Sequence, residues 1–488
     1  MKTFRELVRD SLFAIIFHLA PRFANVVVFI IIGRSSGPAQ AGVFTLATTY
    51  LLIFTTLMRG ADDFVVRQVA RENDRATHYF VSFLLLRLIL SALACATLWL
   101  LVGVAFDYPP STQAPVALLA LAILPDGLML VGQSVLLGLR QFKIVTIIVS
   151  AGNGLKLMVA GLSIARGGSV IDVAWIWLLG SLGLLAAMSL ATIQQMGGWT
   201  ALCRVDRSAL GIIGQHRSAI LSFLAITALS TVEAQSDTVL LSLYRTESDV
   251  GWYSAATTIT FSLVMLSQAY RFSVYPMMAR FAQQTPERLN RLYDRSMRYL
   301  GALVIPMVVG IMLLSPQIVR LVFGPKFEPT TLVLQILVVS LVFIFLDAPT
   351  VRMLLVHDRQ RVIAQIGIVS AGINVALNLM LSPQYGAVGA SVARVISELS
   401  ASVLCYVYLY RNILKLNLVT VLLKPIVASF VMAVVLWIVN GSSLAITIPL
   451  GALIYVALFF GLGGIVKDDR DILRKAVLVR LKKPAFQA

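Results

Sequence analysis

Long apolar runs recur from residue 12 almost to the end of this chain, each close to the ~20 residues that carry a helix across a bilayer. About fourteen are legible, near 12–32, 42–60, 79–105, 115–138, 144–165, 173–193, 219–243, 251–277, 299–319, 331–351, 362–382, 387–410, 419–439 and 444–466. Hydrocarbon offers the backbone no hydrogen-bond partner, so spans of this kind must be helices. The predicted fold class is all-α, a polytopic membrane protein of about 14 transmembrane helices. Composition agrees, with 58% hydrophobic and 13% charged residues and a mean hydropathy of +0.87, whereas soluble domains carry about a quarter charged residues. The first run holds Arg22 and has no small-residue cleavage site after it, so it is expected to stay in the mature protein. Cys95, Cys203 and Cys405 have no metal-ligand spacing, and neither a disulfide framework nor a metal site is expected.

A net charge of +17 would suit nucleic acid if one patch carried it. The cations instead alternate by loop. Odd-numbered loops hold only Arg34, Arg166, Arg245, Arg320 and Lys326, while the termini and even-numbered loops hold most of the rest. The positive-inside rule then places both termini in the cytoplasm, and nucleic acid is not an expected partner.

The chain is also written twice. Gly42 to Arg71 lies on Gly251 to Arg280 without a gap, matching at Gly42/Gly251, Ala47/Ala256, Thr48/Thr257, Thr49/Thr258, Leu57/Leu266, Val65/Val274, Ala70/Ala279 and Arg71/Arg280. Arg140-Gln141 with Ile148-Val149-Ser150-Ala151-Gly152 returns as Arg359-Gln360 with Ile368-Val369-Ser370-Ala371-Gly372. Duplicated hydrophobic halves of like orientation are the architecture of alternating-access transporters, with a substrate site between them. The expected division is an N-lobe of helices 1–6 over 1–200, a C-lobe of helices 7–12 over 201–412, an appended pair of helices over 413–466, and a basic cytoplasmic tail over 467–488.

No phosphate-cradling loop, zinc-binding His-Glu-x-x-His helix or Gly-x-Ser-x-Gly elbow is present. Every loop is too short for a soluble catalytic domain, so the chain is not expected to be an enzyme. Function must come from charges inside the spans, which are costly in hydrocarbon and usually face a partner or an aqueous cavity. Seven cations (Arg22, Arg59, Arg87, Lys156, Arg271, Arg394, Lys424) stand against five acids (Asp126, Glu233, Asp237, Asp347, Glu398). That excess suits an anionic substrate such as a diphosphate, which arginine grips with a planar fork of donors.

His18, Arg22 and Asn25 share one face of the first span beside Pro21, reading either as substrate contacts or, for Arg22, as half of an ion pair. Arg59 and Arg271 close the second and eighth spans and either hold substrate or snorkel. Glu233 and Asp237, four apart, form either a cation or proton site or a salt bridge to Arg22, Arg271 or Arg394. Asp126 and Asp347 sit beside Pro125 and Pro349 at equivalent places in the two copies, where they cap a helix break or take part in ion coupling. Arg87, Lys156, Arg394 and Lys424 lie nearer span ends, where snorkelling is the expectation. No cofactor is expected beyond a coupling Na+ or H+.

The run Gly33-Arg34-Ser35-Ser36-Gly37-Pro38-Ala39-Gln40-Ala41-Gly42-Val43-Phe44 resembles the opening of the polysaccharide transporter family of oligosaccharide flippases. That family belongs to the multidrug, oligosaccharidyl-lipid and polysaccharide exporter superfamily. Asp237, then Asp249-Val250-Gly251-Trp252-Tyr253-Ser254-Ala255-Ala256, then Pro276, is similar to its second half. The resemblance implies two pseudo-symmetric six-helix lobes around a V-shaped central cavity, with two extra C-terminal helices shaping a lipid groove. It implies a flippase that moves a polyprenyl-diphosphate-linked oligosaccharide across a bacterial cytoplasmic (inner) membrane by alternating access, for surface polysaccharide synthesis. Arginines of spans one, two and eight grip the diphosphate in the related lipid II flippase, a role that would fall here on Arg22, Arg59 and Arg271. Membrane lipids, a polysaccharide polymerase and a chain-length regulator are the partners implied. An ion-coupled multidrug antiporter of the same fold is the alternative. A membrane polymerase is the third reading, disfavoured by short outward loops near 106–114 and 320–330.

Overall fold

The computed structural model describes residues 23–202, 208–439 and 443–464. His18, Arg22, the basic tail and the start of the first span therefore lie outside the described residues. What is described is almost wholly helical. Helix α1 (Phe23–Ser36) is followed by α2 (Pro38–Leu57), α3 (Arg59–Arg71), α4 (Ala76–Leu100), α5 (Pro110–Gly138), α6 (Phe142–Ala165), α7 (Val170–Gln195), α8 (Trp199–Leu202) and α9 (Ser208–Gln215). The second copy supplies α10 (Arg217–Tyr244), α11 (Glu247–Gln284), α12 (Pro286–Val322), α13 (Thr330–Leu337), α14 (Ser340–Val356) and α15 (Gln360–Asn412), and α16 (Leu418–Ile438) and α17 (Leu444–Gly461) follow.

Eleven spans in the described residues are long and apolar enough to cross a membrane, so this is a multi-pass membrane protein. Two of the apolar runs of the sequence, 362–382 and 387–410, follow one another directly as the two helical halves of α15, separated by a kink where the backbone leaves the helical conformation at Gly386 with φ +57°.

Local chemistry explains the joints. Gly37 adopts φ +92° between α1 and α2, a left-handed conformation that favours glycine, and Pro38 starts α2 with its preset φ. The stretch after the second span is a helix rather than a loop. In α3, Ala61, Phe64, Val65 and Val69 turn inward against Tyr79, Phe80 and Phe83 of α4 and Val131 and Val135 of α5. Arg59, Asp63, Arg67 and Arg71 keep to the other side and are all exposed.

Two compact units interleave along the chain. The first comprises Met1–Thr258, Val322–Val333 and Gly367–Arg394; the second comprises Ile259–Leu321, Leu334–Ile366 and Val395–Ala488. In the first, α5 packs against α2, α3, α4 and α7. Its neighbours turn large apolar side chains outward, such as Leu88, Ile89 and Leu93 of α4, Leu155 and Met158 of α6, and Trp175 and Leu179 of α7. Such residues suit contact with acyl chains. In the second unit, α16 and α17 pack together through Met432, Leu436, Tyr455 and Phe459, joined by Ala302 and Val309 of α12. The Tyr455 hydroxyl donates to the Ala302 carbonyl at 2.6 Å and fixes the pair there.

Candidate functional site

A densely bonded polar cluster surrounds Asp237 of α10, which is 3% exposed. Its Oδ1 accepts from the Nδ2 atoms of Asn374 at 2.9 Å and Asn378 at 2.8 Å. Its Oδ2 accepts from the Tyr253 hydroxyl at 2.8 Å and pairs with Arg394 at 3.5 Å. Ser236 donates to the Asn374 amide oxygen at 2.8 Å and Ser382 to that of Asn378 at 3.0 Å. The spacing of four between Asn374, Asn378 and Ser382 stacks three polar groups on one face of α15. Three donors and one guanidinium satisfy the carboxylate, as an apolar interior demands of any buried charge.

The break at Gly386 is held by a second set of contacts. Arg245 donates through Nε to the Ser382 carbonyl at 3.3 Å and through Nη2 to the Gln384 carbonyl at 2.6 Å. These carbonyls end the first half of α15, and a guanidinium suits such an end. A Cβ added at Gly386 would fall 2.5 Å from Oδ1 of Asp249, so only glycine fits the turn.

Three other cations depart from the snorkelling expectation. Arg87, 2% exposed, is bonded to Asp62 of α3. Lys156, 5% exposed, donates to Ser181 at 2.9 Å and lies 5.4 Å from the Trp177 ring centre. Arg394, 8% exposed, is committed to Asp237. Each finds a counter-charge, hydroxyl or ring closer than the membrane surface, which is why burial wins. Lys424 is the exception, reaching the Gly463 carbonyl at 2.7 Å in an exposed position. For Lys156 the stem packs on Gly180, where a Cβ would meet its Cε at 2.6 Å. Lys156→Met keeps that stem and removes a costly buried charge, so unfolding stability in detergent is expected to stay level or rise by about 1 kcal/mol. A large loss in thermal-shift measurements would mean that the field of nearby Asp126 makes the ammonium structurally indispensable.

Asp126 and Asp347 do not cap helix breaks. α5 runs unbroken through Pro125 and α14 through Pro349, so neither acid stands at a helix end. Asn25 and Arg59 are both exposed, on α1 and at the start of α3. Arg271 and Glu233 lie within α11 and α10, and their side chains fall outside the described residues. Asp62 was not among the sequence candidates, although its spacing of three and seven from Val65 and Val69 places it on the buried face of α3.

The two copies of the sequence meet where α2 and α11 begin. A Cβ at Gly42 would lie 1.9 Å from the carbonyl oxygen of Glu247, and one at Gly251 would lie 2.1 Å from that of Pro38. Glu247 stands four residues before Gly251, and Pro38 four before Gly42. The contact is therefore reciprocal, each glycine receiving the carbonyl one turn ahead of its repeat counterpart, as at a two-fold interface. Beside it, the hydroxyls of Tyr50 and Tyr108 lie 2.9 Å apart, and those of Tyr108 and Ser242 2.7 Å apart. Thr112 donates to Glu247 at 2.9 Å. The bonds of Tyr108 to Ser242 and of Thr112 to Glu247 tie first-copy residues to second-copy residues at one end of the bundle.

A duplicated helical membrane protein with buried charge pairs is the class that fold and site define. A family model described as polysaccharide biosynthesis protein matches residues 58–332, and the chain belongs to that family. Two curated relatives come from Haloferax volcanii. A probable low-salt glycan biosynthesis flippase, Agl15, is 27% identical over 162 residues, covering 33% of this chain and 34% of the relative. A probable flippase, AglR, is 28% identical over 206 residues, covering 41% and 43%. The alignments thus span less than half of those relatives. Among solved structures, the lipid II flippase MurJ in an inward closed conformation superimposes with a TM-score of 0.74 at 15% identity, covering 93% of this chain and 99% of its own. An inward-facing multidrug resistance MATE family transporter gives 0.64 at 16% identity, covering 81% and 97%. Both share the fold.

Proposed function

We propose that this chain is a flippase that carries a lipid-linked oligosaccharide, its sugar chain on a polyprenyl diphosphate, from the cytoplasmic to the outer leaflet of the cytoplasmic membrane. The observation that carries the reading is the union of two features. The relatives are named as flippases, one for glycan biosynthesis, and the two copies here meet reciprocally at Gly42 and Gly251, a joint that alternating access must open and close. The lobes are 1–200 and 201–412, with 413–466 an appended pair and both termini cytoplasmic. Arg22, Arg59 and Arg271 hold the diphosphate, with His18 and Asn25 beside them. Coupling to Na+ or H+ rests on Glu233, Asp126 and Asp347 rather than on Asp237, whose charge Arg394 already balances. A polymerase and a chain-length regulator act on the exported product.

In a deletion strain, radiolabelled lipid-linked oligosaccharide is expected to collect in the cytoplasmic leaflet. Complementation with Arg22→Ala, Arg59→Ala or Arg271→Ala should lower export roughly 10- to 150-fold, the worth of one charge-assisted bond, while the protein remains in the membrane. Collection in the outer leaflet would identify a polymerase defect and end the proposal. The antiporter reading predicts drug sensitivity on deletion, which the flippase reading does not.

A further inference from the structure

Beside the joint between the two copies lies a half-open cavity of about 410 Å³, lined among others by Asp107, Tyr108, Thr112, Tyr244, Arg245 and Glu247. That volume lies within the usual range of small-molecule sites. Its lining mixes tyrosine rings, hydroxyls and carboxylates with the aliphatic side chains of Leu46, Leu243 and Val250. Of the charged groups, Asp107 and Glu247 are acids and Arg245, which donates to the carbonyls of Ser382 and Gln384, is the one cation among the lining residues, so the lining carries a net negative charge. Such a lining disfavours phosphate. It suits a neutral polyol, whose hydroxyls donate to carboxylates and whose ring faces pack on tyrosine. Two exposed lining groups are accessible to a ligand, the Asp107 carboxylate and the Tyr244 hydroxyl, neither of which is hydrogen-bonded to another of the described residues.

We propose that this cavity is a carbohydrate subsite for a glycosyl unit of the cargo, distinct from the arginines proposed to hold the diphosphate. The inference rests on the flippase reading for the source of the sugar. On the orientation proposed above, the loops that form the cavity, near 106–109 and 244–247, face the outer side. The walls of the cavity include the bonds that close the joint, Thr112 to Glu247 and Tyr108 to Ser242. A sugar hydroxyl donates and accepts as a threonine or serine hydroxyl does, so it can replace each partner bond for bond. Such exchange leaves no buried group unpaired, and the joint opens without the penalty of an orphaned carboxylate. The subsite thereby links arrival of the glycan to opening of the end where it leaves.

The test uses the full chain in nanodiscs, with two probes: the oligosaccharide released from the host's own lipid-linked pool, and inorganic pyrophosphate. Saturation-transfer NMR is expected to detect oligosaccharide binding to the parent protein. The double variant D107A/Y244A, which alters two side chains without internal bonds, should weaken it at least about tenfold by the loss of two hydrogen bonds to sugar hydroxyls. Pyrophosphate should not compete. Equal binding by parent and variant, absence of binding to either, or displacement by pyrophosphate would each overturn the subsite. Absence of binding together with cytoplasmic-leaflet accumulation in the deletion strain would sink the subsite and leave the flippase reading standing. Binding without that accumulation would sink the flippase reading alone.

Discussion

Gly42→Ala and Gly251→Ala are each expected to force apart the start of α2 and the start of α11 and to leave that end of the bundle open. The added methyl carbons would lie 1.9 Å and 2.1 Å from backbone oxygens. Backbone cannot rotate away as a side chain does, so the helices themselves must move. Overpacking of this kind costs about 1–3 kcal/mol, and a bias of that size shifts a two-state equilibrium roughly 5- to 150-fold. Leu46, one turn beyond Gly42 and 2% exposed, reports the change. In a background lacking the native cysteines, Leu46→Cys is expected to react slowly with a membrane-impermeant maleimide in the parent and much faster beside either alanine. Export should fall in both, because a transporter locked open at one end cannot complete its cycle. Since the contact is reciprocal, the two substitutions should act alike, and the double variant should add little once the joint has parted. Unchanged labelling in both single variants would mean that the crossing is not the closed state of a gate.

How much of this was legible in advance differs from one residue to the next. Apolar runs and repeats are dense signals, read over twenty or more residues at once, and they marked out the helices and paired Gly42 with Gly251 in the sequence. The reciprocal contact itself was not visible, because pairing by descent says nothing about distance. α3 was read as loop since charge dominates its composition, although its apolar stripe has helical spacing. The acid Asp237 was picked out by its depth in a span. Its partner Arg394 is one of three cations between which spacing alone does not choose, and Asn374 and Asn378 lie 137 and 141 residues away from Asp237. Tertiary pairing over such separations leaves no local periodicity to read. The bonds Tyr108 to Ser242 and Thr112 to Glu247 escaped for the same reason, being made by ordinary loop-end hydroxyls in runs that carry no motif.

Arg394→Leu should be among the most damaging single changes in the chain. It leaves the Asp237 carboxylate buried with amide and hydroxyl donors but without a counter-charge, and breaking a buried pair from one side costs about 3–5 kcal/mol. Removing both charges should cost far less. Asp237→Asn with Arg394→Leu keeps the oxygen that accepts from the two asparagines, turns an amide N–H toward the Tyr253 hydroxyl, which can accept it, and eliminates both desolvated ions, so the double variant is expected to recover most of the lost thermal stability. The same pair bears on ion coupling. With the guanidinium at 3.5 Å from Oδ2, the parent has no electrostatic need of a bound cation at Asp237, and exchanging Na+ for a bulky organic cation should leave its melting temperature unchanged. In Arg394→Leu, the Asp237 carboxylate loses its counter-charge, and its Oδ2 with the neighbouring Tyr253 oxygen can receive a small hard cation, for which oxygen ligands are the natural partners. Na+ should then raise the melting temperature of that variant in a dose-dependent way. Stabilisation of the parent by Na+, lost when Asp237 becomes asparagine, would show instead that Arg394 and a metal ion share the site, and that coupling does pass through Asp237.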